Sequence, residues 1–169
     1  MKKCIFIILF CAALTLTNGC FDPFYSNPYF KVDESSLNWL EIYYKPVASK
    51  QLVRVRLDGG GVIKIREGSS PLVGDVFAHD NRNERWEDIR DYQLTISKEE
   101  VNRLFQELTN NGLFLEQKKS SESPEGTAIM AFGNIQNHTI YSTIYEPDLY
   151  EHLNALVLMF YHPKPKSRR

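Results

Sequence analysis

Residues 53–66 read Val-Arg-Val-Arg-Leu-Asp-Gly-Gly-Gly-Val-Ile-Lys-Ile-Arg. Apolar and charged residues alternate on both sides of three glycines, which is the pattern of two β-strands that each bury one face. The stretch therefore predicts a β-hairpin. A single apolar face requires a loop with an odd number of residues, and the loop Asp58–Gly60 meets this requirement while placing Arg54 opposite Lys64.

The regions on either side of this hairpin predict further strands and two helices. The first helix begins with a capping box at residues 97–100, in which the Ser97 hydroxyl accepts a hydrogen bond from a backbone amide of the first turn. An apolar stripe follows, and Asn110-Asn111-Gly112 supplies a left-handed stop. The predicted elements outside the hairpin are a strand at 37–44, a strand at 92–96, the helix after Ser97, a second hairpin at 127–132 and 138–145, and a helix at 147–161.

This order of elements predicts an α+β domain. Strands that are close in sequence and joined by hairpins pair in antiparallel fashion, and helices with one apolar stripe cover one face of such a sheet. We expect an antiparallel sheet of about five to six strands with two helices packed on one face. The glycine turn and the helix that ends in Gly112-Leu113-Phe114 resemble the organisation of small bacterial exported domains of unknown function.

The N-terminus has the layout of an export signal. Met1-Lys2-Lys3 precedes an apolar run at residues 4–16, which is shorter than the roughly 20 residues of a membrane-spanning helix. Residues 17–20 read Thr-Asn-Gly-Cys and resemble a bacterial lipobox, although lipoboxes have an aliphatic residue where Thr17 stands. The resemblance implies that Cys20 becomes the mature N-terminus and carries fatty acyl chains such as palmitate. An ordinary secretory signal, or an uncleaved anchor, is the alternative.

These features divide the chain into four parts. We expect a signal peptide at 1–19, a lipidated N-terminus and tether at 20–36, a single domain at 37–161 and a basic tail at 162–169. The start of the tether carries five aromatic residues and two prolines between Phe21 and Phe30. These rings either lie among lipid headgroups, which is the interpretation we favour, or pack on the domain as an extended arm.

Composition excludes several classes of function. No cysteine follows Cys20, so the domain has neither a disulfide nor a thiol nucleophile nor a cysteine-based zinc site. Cleavage before Cys20 leaves 18 basic and 21 acidic residues, a balance that gives no electrostatic basis for binding nucleic acid. We expect no cofactor.

The sequence contains no recognisable catalytic or metal-binding motif. His79-Asp80 has the composition of a general base and its orienting carboxylate, but adjacent residues of an extended chain point apart. His79, His138, His152 and His162 lack the paired spacing of a zinc motif. Residues 59–61 join two strands and therefore form a turn and not a phosphate-binding loop.

Two features are candidates for binding. The outward side of the first hairpin carries four basic residues, Arg54, Arg56, Lys64 and Arg66. Either acidic residues of the following segment (Glu84, Glu87, Asp88 and Asp91) or an anionic partner neutralise them. The second feature is Trp86, in a predicted loop at 67–91, which either anchors a partner or pins the loop to its own domain.

The sequence thus favours a lipoprotein of the bacterial cell envelope, facing the periplasm or the exterior. Its domain is predicted to be a non-enzymatic binding or structural module. The expected partners are the membrane, through lipid on Cys20, and an envelope protein or an anionic lipid. The alternative is a small envelope hydrolase with an unrecognised site.

Overall fold

The structure, a computed structural model, describes residues 27–46, 51–69, 86–117, 127–144 and 146–161. These residues contain six strands and two helices. In chain order the elements are β1 (Trp39–Pro46), β2 (Gln51–Asp58), β3 (Val62–Ser69), β4 (Glu87–Thr95), α1 (Lys98–Asn110), β5 (Thr127–Ile135), β6 (His138–Thr143) and α2 (Pro147–Phe160).

The strands form one antiparallel sheet in the order β4-β3-β2-β1-β5-β6. Both helices contribute to a single apolar core with one face of this sheet, so the predicted α+β class is confirmed. The helical part of the core consists of Val101, Leu104, Phe105 and Leu108 from α1, with Leu149, Leu153, Leu156 and Val157 from α2. Burying each such side chain contributes about 1.5 to 3 kcal/mol before conformational entropy is counted.

The first hairpin is present, but its predicted register is wrong by two positions. Arg54 lies opposite Arg66, and Arg56 lies opposite Lys64. The loop has three residues as expected, but these are residues 59–61, because Gly61 has a φ of 90° and its amide donates to the Asp58 carbonyl at 2.8 Å. The error preserves the separation of apolar and basic faces, since a shift of two residues leaves every side chain on its original side.

The predicted loop at 67–91 is also wrong at both of its ends. Residues 67–69 belong to β3 and residues 87–91 to β4, and the segment between Ser69 and Trp86 lies outside the described residues. All nine residues of β4 are exposed, so this edge strand has no buried face to produce the alternation from which strands are predicted. Strand β4 is identified by its antiparallel pairing with β3.

The ends of α1 agree with the sequence-based prediction, and the second hairpin has a longer first strand than predicted. The Ser97 hydroxyl accepts from the Glu100 amide at 3.1 Å, and Gly112 has a φ of 86°, which confirms both predicted ends of α1. Strand β5 extends three residues beyond the prediction, to Ile135. A two-residue turn of Gln136 and Asn137 follows, and both have positive φ, as tight hairpin turns require.

The segment before β1 joins two hairpins at one end of the sheet. The backbone carbonyl of the buried Asn38 accepts a hydrogen bond from the Gly59 amide at 2.7 Å. Its side-chain oxygen accepts from the Gln136 amide at 3.0 Å, and its side-chain nitrogen donates to the Asp33 carbonyl at 3.0 Å. Asn38 therefore ties the β2–β3 turn and the β5–β6 turn to the N-terminal segment.

Candidate functional site

Neither of the described helices packs on the second face of the sheet. This face carries the four basic residues predicted as candidates, which we call the basic face: Arg54, Arg56, Lys64 and Arg66. Beside them lies a small apolar cluster, separate from the main core: Tyr43, Leu52, Met130 and Phe132. Like charges lie directly opposite one another in β2 and β3, an arrangement that is unfavourable unless other groups compensate them.

Arg56 is compensated within the domain. Its Nη1 donates to Glu41 Oε1 at 3.1 Å and its Nε to Asp58 Oδ1 at 2.8 Å, and the guanidinium lies 4.8 Å from the centre of the Trp39 ring. Burial acts to lower the pKa of Arg56, but the hydrogen bonds and charges of Asp58 and Glu41 together outweigh it and raise the pKa above its ordinary value. Arg56 is thus a structural residue of the sheet.

The Glu41 contact was not predicted, although the sequence contains a signal for it. Glu41 stands between Leu40 and Ile42, which both face the helices, so its carboxylate must lie on the other side of β1. Once β1 is paired with β2, Glu41 lies directly opposite Arg56.

Arg66 is compensated by β4. Its Nε and Nη2 donate to the two carboxylate oxygens of Asp91 at 2.8 and 2.9 Å, a bidentate pair between residues that lie opposite each other. The hydrogen bond from Arg66 holds the pKa of Asp91 below its ordinary value, with a smaller contribution from the charge of Arg54. Of the four acidic residues expected to compensate the basic face, Asp91 does so from a strand and not from a loop.

The other three acidic residues have different positions. Asp88 lies 3.4 Å from the Ser69 hydroxyl, and neither Asp88 nor Glu87 forms an ion pair with the basic face among the described residues. Glu84 lies outside those residues. Among the residues that the structure describes, the compensation is therefore partial.

Arg54 and Lys64 are the cations that remain. Lys64 is about half exposed, and its ammonium is 3.7 Å from Asp58 Oδ2, a carboxylate that already accepts from Arg56. Arg54 forms no ion pair among the described residues, and its Nε is buried without a hydrogen-bond acceptor. Among the described residues, no carboxylate therefore pairs with the positive charge of Arg54.

A groove of about 460 Å³ gives access to these cations. It runs over β2, β3 and β4 on the basic face. Its lining residues are Arg54, Lys64, Ile65, Arg66, Asp91, Tyr92 and Gln93. The groove is therefore lined by two incompletely compensated cations, Arg54 and Lys64, and by the bidentate ion pair of Arg66 and Asp91.

Trp86 borders the basic face and packs on its own domain. It is partly buried against the apolar cluster that contains Leu52, and its ring stands 5.9 Å from the Arg66 guanidinium. Gly68 makes room for this contact, since a Cβ at that position would lie 3.1 Å from the Trp86 ring. Trp86 thus covers one end of the sheet next to Arg66.

The end of the predicted tether also packs on the domain. The Phe30 ring stacks on His138 with centroids 3.9 Å apart, and Phe114 completes the group. Gln106 on α1 accepts from the Val32 amide at 2.8 Å and donates to the Phe30 carbonyl at 3.0 Å. From Phe30 onward the segment is therefore an arm on the domain, whereas Cys20 and residues 21–26 lie outside the described residues.

The described residues contain no group of three His, Cys, Asp or Glu side chains that would hold a metal ion. They also contain no helix that is long and apolar enough to cross a membrane. His79-Asp80 lies outside them, and His138 is engaged in the stack with Phe30.

No protein-family model matches the chain, and no curated protein matches it either. A fold of this class hosts unrelated functions, so the α+β architecture does not assign an activity.

Proposed function

We propose that this protein is a membrane-anchored lipoprotein of the bacterial cell envelope, whose domain binds an anionic partner through the basic face. The observation that carries the binding function is the state of Arg54 and Lys64, two neighbouring cations in one groove with incomplete compensation. A module that works by binding needs such a surface but needs no catalytic group.

The anchoring function rests on the N-terminal sequence and on the docked arm. Lys2 and Lys3, the apolar run and Cys20 have the order of a lipoprotein signal. Phe30 lies ten positions after Cys20, and a chain of ten residues spans at most about 35 Å. A domain anchored at Cys20 stays close to the bilayer and meets partners at or near its surface.

Mass spectrometry of the mature N-terminus tests the anchoring function. We expect membranes to yield a chain that begins at Cys20 with a mass increase of fatty acyl chains. The Cys20→Ser variant is expected to show no such mass increase, because serine lacks the thiol that accepts the lipid. A soluble wild-type protein with an unmodified N-terminus would refute the proposal.

Charge reversal tests the binding function. Arg54→Glu combined with Lys64→Glu changes the two available cations and leaves the structural pairs of Arg56 and Arg66 in place. We expect loss of the proteins or lipids that co-purify with the wild type from a detergent extract. Arg103→Glu is the control for a charge reversed elsewhere, since Arg103 is exposed on α1 away from the groove, and this variant is expected to keep every partner. Retention of all partners by the double variant would remove the basic face from the proposal.

A further inference from the structure

The groove over β2, β3 and β4 has a specific pattern of charge. Arg66 and Asp91 neutralise each other through two parallel hydrogen bonds, so this pair adds shape and donors but little net charge. The net positive charge of the groove comes from Arg54 and Lys64. In an antiparallel pair these two positions are diagonal neighbours, because Arg54 lies opposite Arg66 and Lys64 lies two residues before Arg66.

The donors of these two side chains are not used up. Lys64 has three N–H donors and one acidic neighbour, Asp58, at 3.7 Å, which is longer than a good hydrogen bond. Arg54 has five donors, lines the groove and forms no ion pair among the described residues. An anion between Lys64 and Arg54 would gain several charge-assisted hydrogen bonds and would separate the like charges of β2 and β3.

The charge of the site selects the kind of anion. A carboxylate has one negative charge and two acceptor oxygens, whereas a phosphoryl group has up to two charges and three acceptor oxygens. Two cations with spare donors match the phosphoryl group better. The groove volume of about 460 Å³ exceeds the needs of a lone phosphate, so it also has room for the atoms to which a phosphoryl group is attached.

We propose that Arg54 and Lys64 form a phosphoryl-binding site in this groove, occupied by the phosphate of an anionic lipid headgroup or by a free phosphate ester. The proposal rests on the proposed binding function and deepens it by naming the ligand class. Arg66, which the hydrogen bonds to Asp91 hold in place, lines the groove beside the site.

The test uses the full-length protein in micelles of a neutral maltoside detergent. Inorganic phosphate is titrated at pH 7 in one arm, and phosphatidic acid, whose headgroup is a phosphate monoester, is added to the micelles in the other, with phosphatidylcholine as the zwitterionic comparison. Binding is followed by isothermal titration calorimetry. We expect saturable binding of phosphate or phosphatidic acid, weakened roughly 10- to 100-fold by Arg54→Gln and by Lys64→Gln, since each removes charged hydrogen bonds.

The variants separate a lost site from a lost fold. Lys64 is half exposed, so Lys64→Gln is expected to keep the circular dichroism spectrum and unfolding midpoint of the wild type, and Arg103→Gln is the control of equal charge change. Tighter binding to phosphatidic acid than to phosphate identifies a lipid headgroup, and the reverse identifies a free phosphate group. Both results support the site.

Two results would overturn it. One is the absence of binding to both ligands, and the other is binding that Arg54→Gln and Lys64→Gln leave unchanged. Either result leaves the proposed function standing if the charge-reversed double variant still loses a co-purifying protein, because that protein then binds the basic face without a phosphoryl group.

Discussion

The side-chain oxygen of Asn38 accepts a hydrogen bond from the backbone amide of Gln136, 3.0 Å away and 98 positions later in the chain. The same asparagine contacts Asp33 through its side chain and Gly59 through its carbonyl. One buried amide thus connects the N-terminal segment with both hairpins. Polar contacts therefore help to hold the end of the sheet at which the chain enters the domain.

Replacing Asn38 is therefore expected to destabilise the domain. Asn38→Ala removes two side-chain hydrogen bonds and leaves the Gln136 amide without its acceptor in a part-buried position. We expect the free energy of unfolding to fall by about 2 to 4 kcal/mol, measured by urea denaturation. Asn154→Ala on α2 is the control, since Asn154 forms no side-chain hydrogen bond among the described residues and alanine favours a helix. Equal stability of Asn38→Ala and wild type would contradict this role.

The Arg66–Asp91 pair makes a prediction about acid stability. An aspartate whose pKa is lowered by folding stabilises the domain above its ordinary value of 3.8, and the contribution is lost as the pH falls through the lowered value. Asp91→Asn is expected to reduce stability at pH 5 to 7 by less than about 1 kcal/mol, because the pair is exposed to solvent.

NMR titration of the Asp91 carboxyl carbon gives the direct measurement. We expect a midpoint below 3.8 in the wild type and a rise toward 3.8 in Arg66→Gln. Glu87→Gln, an exposed change on the same strand, serves as the control and is expected to leave the Asp91 midpoint in place. An unshifted midpoint in the wild type would show that the pair does not persist in solution.

The sequence predicts the elements that bury one face and misses those that do not. The first hairpin and both helices have clear periodicity because Val55, Leu104 and Leu153 each belong to a repeated apolar pattern. Strand β4 lacks such a pattern, so its first five residues read as part of a loop. The predicted register is wrong for a related reason, since periodicity fixes which side a residue faces but not its partner across the strand.

The sequence predicts which residues form the candidate site, but it does not predict which of their charges are compensated by carboxylates. The four cations follow from alternation alone. Which of them are compensated depends on Glu41 and Asp91, and both contacts follow from strand pairing between distant segments. The distinction between structural Arg56 and available Arg54 therefore required the structure.

Tyr161 makes a prediction about alkaline stability. Its hydroxyl accepts a hydrogen bond from the Gln51 side chain and lies near Glu67. Burial raises the pKa of Tyr161 from 10.0 to about 12. A tyrosine with a raised pKa stabilises the domain fully below pH 10, and this contribution is lost as the pH rises toward 12. We expect the free energy of unfolding to fall over this range.

Tyr161→Phe is expected to flatten that part of the pH profile, because phenylalanine has no proton to lose. Urea unfolding at pH 8, 10 and 11.5 measures the effect, and absorbance at 295 nm follows tyrosinate formation. Tyr29→Phe is the control, since Tyr29 is about half exposed on the arm. If the free energy of unfolding of Tyr161→Phe falls as steeply with pH as that of the wild type, groups other than Tyr161 cause the loss of stability at alkaline pH.

The glycine turn provides the sharpest comparison of neighbouring positions. Gly61 has a φ of 90°, and a Cβ there would lie 2.4 Å from the Ile96 carbonyl oxygen, which cannot shift without moving the start of α1. Gly61→Ala is therefore expected to cost about 2 to 4 kcal/mol of unfolding free energy. A Cβ at Gly60 would meet no atom within 4 Å, and Gly60 has no positive φ, so Gly60→Ala is expected to change stability by less than about 1 kcal/mol. Thermal and urea unfolding of the two variants measure the difference, and equal losses would mean that residues 59–61 do not form the loop.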